Sequence, residues 1–584
     1  MNIIGISALY HDAACCLLQD GQLVAAAQEE RFTKKKADPS MPVHAFRYCL
    51  AEGGISIRDI NFLAYYEDPV KKLARQLWCG HDYRDKELFL KIDPKRPERE
   101  IRELLGYEGP ILMYDHHLSH AASSYYFSGF NDAAILTVDG VGEWATTTYG
   151  SAAGQQIDLF EQVEFPDSLG LLYAAITSYL GFKVNDGEYK VMGLAPYGRP
   201  LYTGKIRRLV QSGANGQYHL DMKYFDFING NRMYAWELVE LLEVEPRRAE
   251  TGILQCHKDI ARSLQVVLEE LLVDKAKWLY ETTGSAHLCM AGGVALNCVA
   301  NGRILNATRF EKMYVQPASN DAGCALGAAA LAYMDTGSPK SSLSKMEHAY
   351  YGPGYTNCEI RNVLEATSLA FDDHTASRKD LITRTALALT EGKVIGWFQG
   401  RMEFGPRSLG ARSILADPRH PDMRDKINAM VKKREAFRPF APSVLEHKAC
   451  GHFDIDHASP FMLETCQVIS EIDLPSITHV DNSARIQTVN RTSNPLFFDL
   501  LTEFDRLTGC PIILNTSFNV RGQPIVNTPA DAIICFLKSG IDSLVMGDFI
   551  IEKENNSIET LEFILANYMD FRQADIARDV YTFL

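Results

Sequence analysis

His116 and His120 stand four residues apart in the stretch DHHLSHAASSYYFSGFNDAAILTVDG, and Asp139 closes the apolar run that follows. Four residues make about one helical turn, so both imidazoles can project from one helix face. Two imidazoles and a carboxylate form a mixed nitrogen and oxygen donor set suited to a divalent ion. A lone pair of histidines at this spacing more often faces solvent or sits satisfied in a core, so other segments must decide. Asp321 supplies a second carboxylate at the start of DAGCALGAAALAYM, where an acid suits a helix N-terminus. His11 follows the first apolar run beside Asp12, and an imidazole there can act as a base near neutral pH. Lys190, in GEYK, can meet a phosphate or an acceptor, or simply pair with Glu188.

A second kind of chemistry lies further along. Residues 400–440 carry ten lysines and arginines against five acids, in a chain whose net charge is −15. Glycines and prolines break the first part of this island into loop, so Arg407 and Arg412 need not lie on a solvated helix face. Arginine meets phosphate oxygens as a rigid fork. SARIQT adds Arg485, and LNTSFNVRGQPIV adds Asn515, Ser517, Asn519 and Arg521. Composition alone leaves two readings open: a phosphate site, or surface arginines paired with Asp417, Asp422 and Asp425. The loop placement favours the phosphate site.

The elements that must hold these groups are partly legible. NIIGISA and AACCLLQ read as strands, and QLVAAA continues their sheet after the Asp20-Gly21 turn. AAILTVDG running into EWATTTYG predicts a second hairpin. Two such hairpins, each with a polar loop after its first strand, predict a duplicated α/β domain of the kind found in actin-like and sugar-kinase-like ATPases. A helix is predicted over 258–283, then a strand at HLCM and a glycine turn at Gly292 and Gly293. Strand, glycine pair and helix can present backbone N–H groups to a phosphate or adenosine, although a tight turn without ligand is as common. The polar segment DTGSPKSSLSKMEH reads as a linker, placing a domain boundary near 345. After it the alternation restarts with a helix over 379–391 and strands at KVIGWFQ and PIILNT.

Bulk properties narrow the function. A chain of 584 residues predicts two or more domains, and 46% hydrophobic with 23% charged residues is ordinary for a globular protein. The acidic balance argues against wholesale binding of nucleic acid or anionic membrane. No run approaches the ~18 apolar residues of a bilayer span, and the start is a poor signal peptide. The 13 cysteines include no CxxC pair and predict reduced thiols in a cytoplasmic protein.

Nine ordered blocks then carry a resemblance across roughly residues 1–552: GISALYHDAACCLLQDGQLVAAAQEERFT, HHLSHAASSYYFSGF, TVDGVGEWATT, GEYKVMGLAPYG, AGGVALNCVANG, GRMEFGPRSLGARSILADPR, KKREAFRPFAPSV, SARIQT and NTSFNVRGQPIV. The chain resembles O-carbamoyltransferases of the NodU/CmcH/TobZ family, nearest to the saxitoxin-type branch. The usual GPRALG block reads GPRSLG here, which leaves Arg407 in place. The resemblance implies a mixed α/β chain with an actin-like domain over 1–345 and a YrdC-like domain over 346–584. It implies that the second domain makes carbamoyl-adenylate from carbamoyl phosphate and ATP with Mg²⁺. The first domain then transfers the carbamoyl group to a hydroxyl of a small-molecule natural product. His116, His120, Asp139 and Asp321 are the implied ligands of a divalent metal, Fe(II) by resemblance, and His11 the implied transfer residue. Gly292, Gly293, Asn297 and Lys190 are expected on the nucleotide or substrate side of that cleft. Arg407, Lys432, Arg438, Arg485, Asn515 and Ser517 are expected to bind carbamoyl phosphate and ATP, with Lys432 rather than Lys433 in the family's lysine position. A hydroxylated small molecule is the expected partner, with no nucleic acid or membrane, and a homodimer is allowed. The alternatives are an actin-fold kinase, which leaves the second half of the chain without a task, and an enzyme of threonylcarbamoyl-adenosine modification in tRNA, which the acidic charge disfavours.

Overall fold

The computed structural model describes residues 1–80, 90–228, 232–336, 343–432, 437–438, 440–557, 559 and 564, without the side chains of Met430 and Lys432. It divides into two compact units. Among the described residues, the first comprises Met1–Glu29 and Ala37–Met346, and the second Glu30–Lys36 and those from Glu347 to residue 564. The short segment 30–36 thus leaves the first unit and returns to it.

In the first unit, one sheet has the order β3-β2-β1-β4-β5. Its strands are β1 (Asn2–Ser7), β2 (Ala14–Gln19), β3 (Gln22–Gln28), β4 (Phe62–Tyr65) and β5 (Ile111–Met113). A second sheet uses β6 (Asp132–Val138), β7 (Ala145–Ala153), β8 (Gln156–Glu164), β11 (His287–Ala291) and β12 (Lys312–Val315). Between them in sequence, β9 (Val210–Ser212) and β10 (Tyr218–Leu220) form a separate antiparallel pair. The second sheet's order, β8-β7-β6-β11-β12, repeats the first. In each sheet the leading strand is antiparallel to its hairpin partner and parallel to the strand that returns beside it. This is the duplicated actin-like design expected from the two hairpins. Asp20 and Gly21 turn β2 into β3 with φ of 48° and 82°, the left-handed conformations that a two-residue turn requires.

Small residues set how closely the site's elements approach. The helix Asp321–Asp335 packs on β1 and on the helix His116–Ser128. A Cβ at Gly5 would stand 1.9 Å from the Ala325 carbonyl oxygen, and one at Gly327 would stand 1.7 Å from that of Ser119. Only hydrogen fits at either position, so the Asp321 helix lies against the histidine helix at near backbone contact. The 29-residue helix Gln255–Thr283 ends at Gly284 in a left-handed cap, as its sequence predicts.

The second unit carries a mixed eight-stranded sheet of order β13-β22-β21-β14-β15-β20-β16-β19. Its strands are β13 (Asp372–Asp373), β14 (Ile395–Phe398), β15 (Arg412–Ala416), β16 (Ala441–Leu445), β19 (Gln487–Val489), β20 (Ile512–Ser517), β21 (Ser543–Met546) and β22 (Phe549–Glu552). Strands β17 (Thr465–Gln467) and β18 (Ser483–Arg485) pair separately. Helices Arg378–Thr390, Pro495–Thr508 and Pro529–Lys538 pack on this sheet over a core that includes Trp397, Ile414, Phe504 and Ile513. None of the 13 cysteines is in a disulfide. Among the described residues, no helix is long and apolar enough to cross a membrane.

Candidate functional site

Four side chains converge in the first unit. His116 and His120 occupy the first turns of the helix His116–Ser128, Asp139 follows β6, and Asp321 opens its helix. One ligand atom from each lies within 4.8 Å of all the others. His116 Nε2 stands 3.2 Å from Asp139 Oδ2 and 3.7 Å from Asp321 Oδ1, and His120 Nε2 stands 3.8 Å from each of those oxygens. Ligands at about 2.1 Å from one ion are roughly 3.0–3.5 Å apart, so a small inward movement closes the set. Both ring nitrogens of His120 and both carboxylate oxygens of Asp321 are buried without a hydrogen-bond partner. Buried polar atoms are rarely left so, and the donor set fits a divalent ion.

The surroundings fix these ligands. Gly293 N–H donates to Asp139 Oδ1 at 2.7 Å, leaving Oδ2 to face the imidazoles. Gly292 has φ 96°, and a Cβ there would meet the Val138 carbonyl oxygen at 2.2 Å. This glycine pair was expected on the nucleotide side, but the Gly293 N–H is spent on the aspartate. Asn297, expected on the same side, is also bonded within the protein. Its side chain caps the helix Cys298–Ala307 through Ala300 N–H and exchanges two hydrogen bonds with Gln265, so its polar atoms are engaged within the protein. Lys190 lies against an aromatic ring. Its ammonium lies 5.8 Å from the Phe182 ring centre, while Glu188 accepts the N–H groups of Asn185 and Gly187.

Glu143 was not singled out from sequence, although it lies four residues past Asp139 in the same block. Its carboxylate accepts the His116 N–H at 3.0 Å and the Asp68 N–H at 2.6 Å. It thus satisfies an orphan donor at the N-terminus of the histidine helix. Buried Arg75 in turn donates Nε–H to the Glu143 carbonyl. The spacing of Arg75 carries no signal, because its partners come from distant segments.

Electrostatics follow from burial among carboxylates. Burial alone lowers the pKa of His116, but Asp321 and Asp139 outweigh it and hold the group at about 9. His11 behaves alike: burial opposes its proton, while Asp321 and Asp12 raise it to about 10. Its Nδ1 lies 3.0 Å from Asp12 and 3.8 Å from Asp321 Oδ2, at the edge of the cluster. Asp139 is driven well down against burial by the His116 hydrogen bond and the closeness of both imidazoles, whereas burial holds Asp321 up.

The basic island resolves residue by residue in the second unit. Arg412 is fully buried in β15 and donates to the carbonyls of Pro353, Gln399, Gly400 and Ala411, with its guanidinium 3.7 Å from the Phe398 ring centre. It is a structural rivet, and its place in a phosphate site is withdrawn. Arg419 pairs with Asp417, and Lys426 with Asp542. Half-buried Arg407 stays in the loop ahead of β15, and Arg438 is also half-buried. Lys432 ends a short helical turn, and its side chain lies outside the described residues.

Three other expected residues each stand two positions from one hydrogen-bonded group. Arg407 precedes Leu409, Arg485 precedes Gln487, and Ser517 follows Asn515. Leu409, Gln487 and Asn515 are joined through hydrogen bonds. Glu403 braces the loop: its Oε1 accepts N–H from Leu409, Ala411 and Arg412 at 2.7, 2.8 and 3.2 Å. The segment 30–36 reaches the same loop, where Arg31 donates to the Gly405 carbonyl at 2.8 Å and Lys34 pairs with Asp531. Sequence reading missed Glu403 and Arg31, although both lie inside the blocks that carried the resemblance.

The description "Carbamoyltransferase N-terminus" matches residues 2–330, and "Carbamoyltransferase C-terminus" matches residues 386–553. The chain belongs to the carbamoyltransferase family. This carbamoyltransferase is 43% identical to an uncharacterized Synechocystis protein, over 94% of its own length and 97% of the relative's. It is 38% identical to nodulation protein NolNO of Sinorhizobium fredii, over 94% and 80% of the two chains. With nodulation protein NolO of Bradyrhizobium diazoefficiens it shares 39% identity, over 78% and 81%. Among solved structures, component A of the (R)-2-hydroxyglutaryl-CoA dehydratase of Acidaminococcus fermentans aligns at a TM-score of 0.31 and 15% identity, over 56% of this chain and 96% of that one. That likeness is too slight to build on.

Proposed function

We propose that the enzyme is an ATP-dependent O-carbamoyltransferase acting on a hydroxyl of a small-molecule natural product, with its two half-reactions divided between the units. In the second unit, carbamoyl phosphate and water give carbamate and phosphate. A carbamate oxygen then attacks the α-phosphorus of ATP, forming carbamoyl-adenylate and releasing pyrophosphate. Arg407, Arg485 and Ser517, with Arg438 and Lys432, offset the phosphate charge there, alongside Mg²⁺ carried by the nucleotide. In the first unit the acceptor oxygen bonds to the carbamoyl carbon, the bond to AMP breaks, and the acceptor proton leaves. A divalent ion held by His116, His120, Asp139 and Asp321 supplies Lewis-acid polarisation, and Fe(II) suits this donor set. Asp12 holds His11 Nδ1, which leaves the other ring nitrogen for the acceptor proton. Charge neutralisation between Asp139 and Asp321 would weaken the field that keeps His11 protonated, so it can act as a base.

The observation that carries this reading is the buried convergence of four ligand side chains in a chain whose two halves both match carbamoyltransferase descriptions. The test is mass spectrometry of the protein with carbamoyl phosphate, ATP and a panel of hydroxylated acceptors. The expected result is AMP together with an acceptor heavier by one carbamoyl group. ADP without AMP would favour a kinase instead.

A further inference from the structure

The hydrogen bonds of the second unit's sheet fix the direction of one amide. The chain of reasoning starts at the Leu409 carbonyl, which can only accept. Gln487 lies 2.8 Å from it and must present Nε2–H there. Its Oε1 therefore faces Ser443 Oγ at 2.6 Å and Asn515 Nδ2 at 3.0 Å. Asn515 Nδ2 also donates to Ser443 Oγ at 3.0 Å. Turning Asn515 over would set its oxygen against Gln487 Oε1. Turning Gln487 over would set its oxygen against the Leu409 carbonyl. Each alternative places two acceptors face to face, so one backbone carbonyl determines both amides.

The residue at the end of this relay is left incomplete. Asn515 Oδ1 is buried and has no hydrogen-bond partner, in a side chain that is 1% exposed. Gln487 and Ser443 are register partners on β19 and β16, and both are buried. Asn515 and Ser517 lie two apart on β20 and so share a sheet face. The face thus runs from an unfilled acceptor at Asn515 to a half-buried hydroxyl at Ser517. A fully deprotonated phosphoryl group supplies no donor for this acceptor. A carbamoyl group does, through its NH₂.

We propose that Gln487 is a specificity-determining positioning residue: held by the Leu409 carbonyl, it orients Asn515 so that Oδ1 accepts from the carbamoyl NH₂ and selects carbamoyl phosphate over acyl phosphates without an N–H. This rests on the reading of the second unit as the carbamoyl-phosphate site. Acetyl phosphate is nearly the same size but puts a methyl group where the NH₂ would be. A site built around a polar partner rejects an analogue that leaves that partner unpaired.

The test compares ATP-dependent AMP and pyrophosphate formation with carbamoyl phosphate and with acetyl phosphate, using the full chain. The wild type is expected to prefer carbamoyl phosphate in kcat/KM, and Gln487→Met to lower that preference about tenfold to a hundredfold. A merely structural role would reduce both substrates alike and leave their ratio unchanged, which would overturn the proposal. Ser443→Ala removes one of the two Asn515 Nδ2 acceptors without touching the Leu409 contact. It is expected to lower the ratio by about threefold or more, and it carries the test if circular dichroism shows Gln487→Met unfolded. An unchanged ratio in folded Ser443→Ala would likewise count against the relay. Absence of turnover with carbamoyl phosphate in the wild type would instead overturn the assignment of the second unit.

Discussion

The two candidate sites leave different groups unsatisfied. In the first unit, imidazole and carboxylate ligand atoms converge, and those of His120 and Asp321 lack hydrogen bonds. The carboxylates there are set by backbone N–H groups and by close helix packing. In the second unit, several charged groups of the island are already partnered, most completely Arg412. Among the buried atoms without a hydrogen-bond partner there is a neutral acceptor at the end of an amide relay, Asn515 Oδ1. The first arrangement suits a cation, and the second suits an anion that also carries an N–H donor. A cluster of like residue types is therefore a poorer guide to a ligand than the atoms left without partners.

Removing a ligand from each site should separate them most sharply. Asp321→Asn is expected to cut bound metal at least about tenfold and to stop acceptor carbamoylation, while pyrophosphate release from ATP with carbamoyl phosphate persists. Metal analysis of the purified protein and the half-reaction assay check this, and loss of both half-reactions together would break the division. Arg407→Ala is expected to do the converse, with a roughly hundredfold or larger loss of AMP formation and unchanged metal content.

Smaller effects test how each site is supported. Glu143→Gln weakens the hold on the His116 N–H and should reduce metal affinity by about tenfold, read by competition with a chelator. Arg412→Met leaves the buried carbonyls of Pro353, Gln399 and Ala411 short of a donor and should cost about 3 kcal/mol of stability, seen as a lower denaturant midpoint with metal content intact. His457 serves as a reference outside both sites. Its hydrogen bond to Glu464 raises it to about 9 against the ordinary 6.5. Its stabilisation is present in full below pH 6.5 and is lost as pH rises through about 9. The pair is partly exposed, so the gap between wild type and His457→Gln should stay below about 1 kcal/mol and close above pH 9.

Local patterns carried much of this molecule. The His116/His120 spacing gave one helix face, the Asp20-Gly21 turn gave the first hairpin, and the repeated hairpin gave the duplicated domain. The same patterns misjudged Arg412 and did not show what Gly293 and Asn297 bond to. Each has a residue type that suits ligand binding, but its partners, Asp139, Gln265 and the Pro353 carbonyl, come from distant segments. No spacing rule reports such partners.

The amino-acid order by itself determined the element types, the family and the chemical character of both sites, because these depend on neighbours along the chain. Only the tertiary structure decided which polar atoms are spent and which are left open. Asp139 and Asp321 reach one point only after the sheets form and Gly5 and Gly327 let the Asp321 helix close in. Asn515 acquires a direction only when Gln487 meets the Leu409 carbonyl. Hydrogen bonds are short-ranged and directional, so their completion is a property of the packed chain.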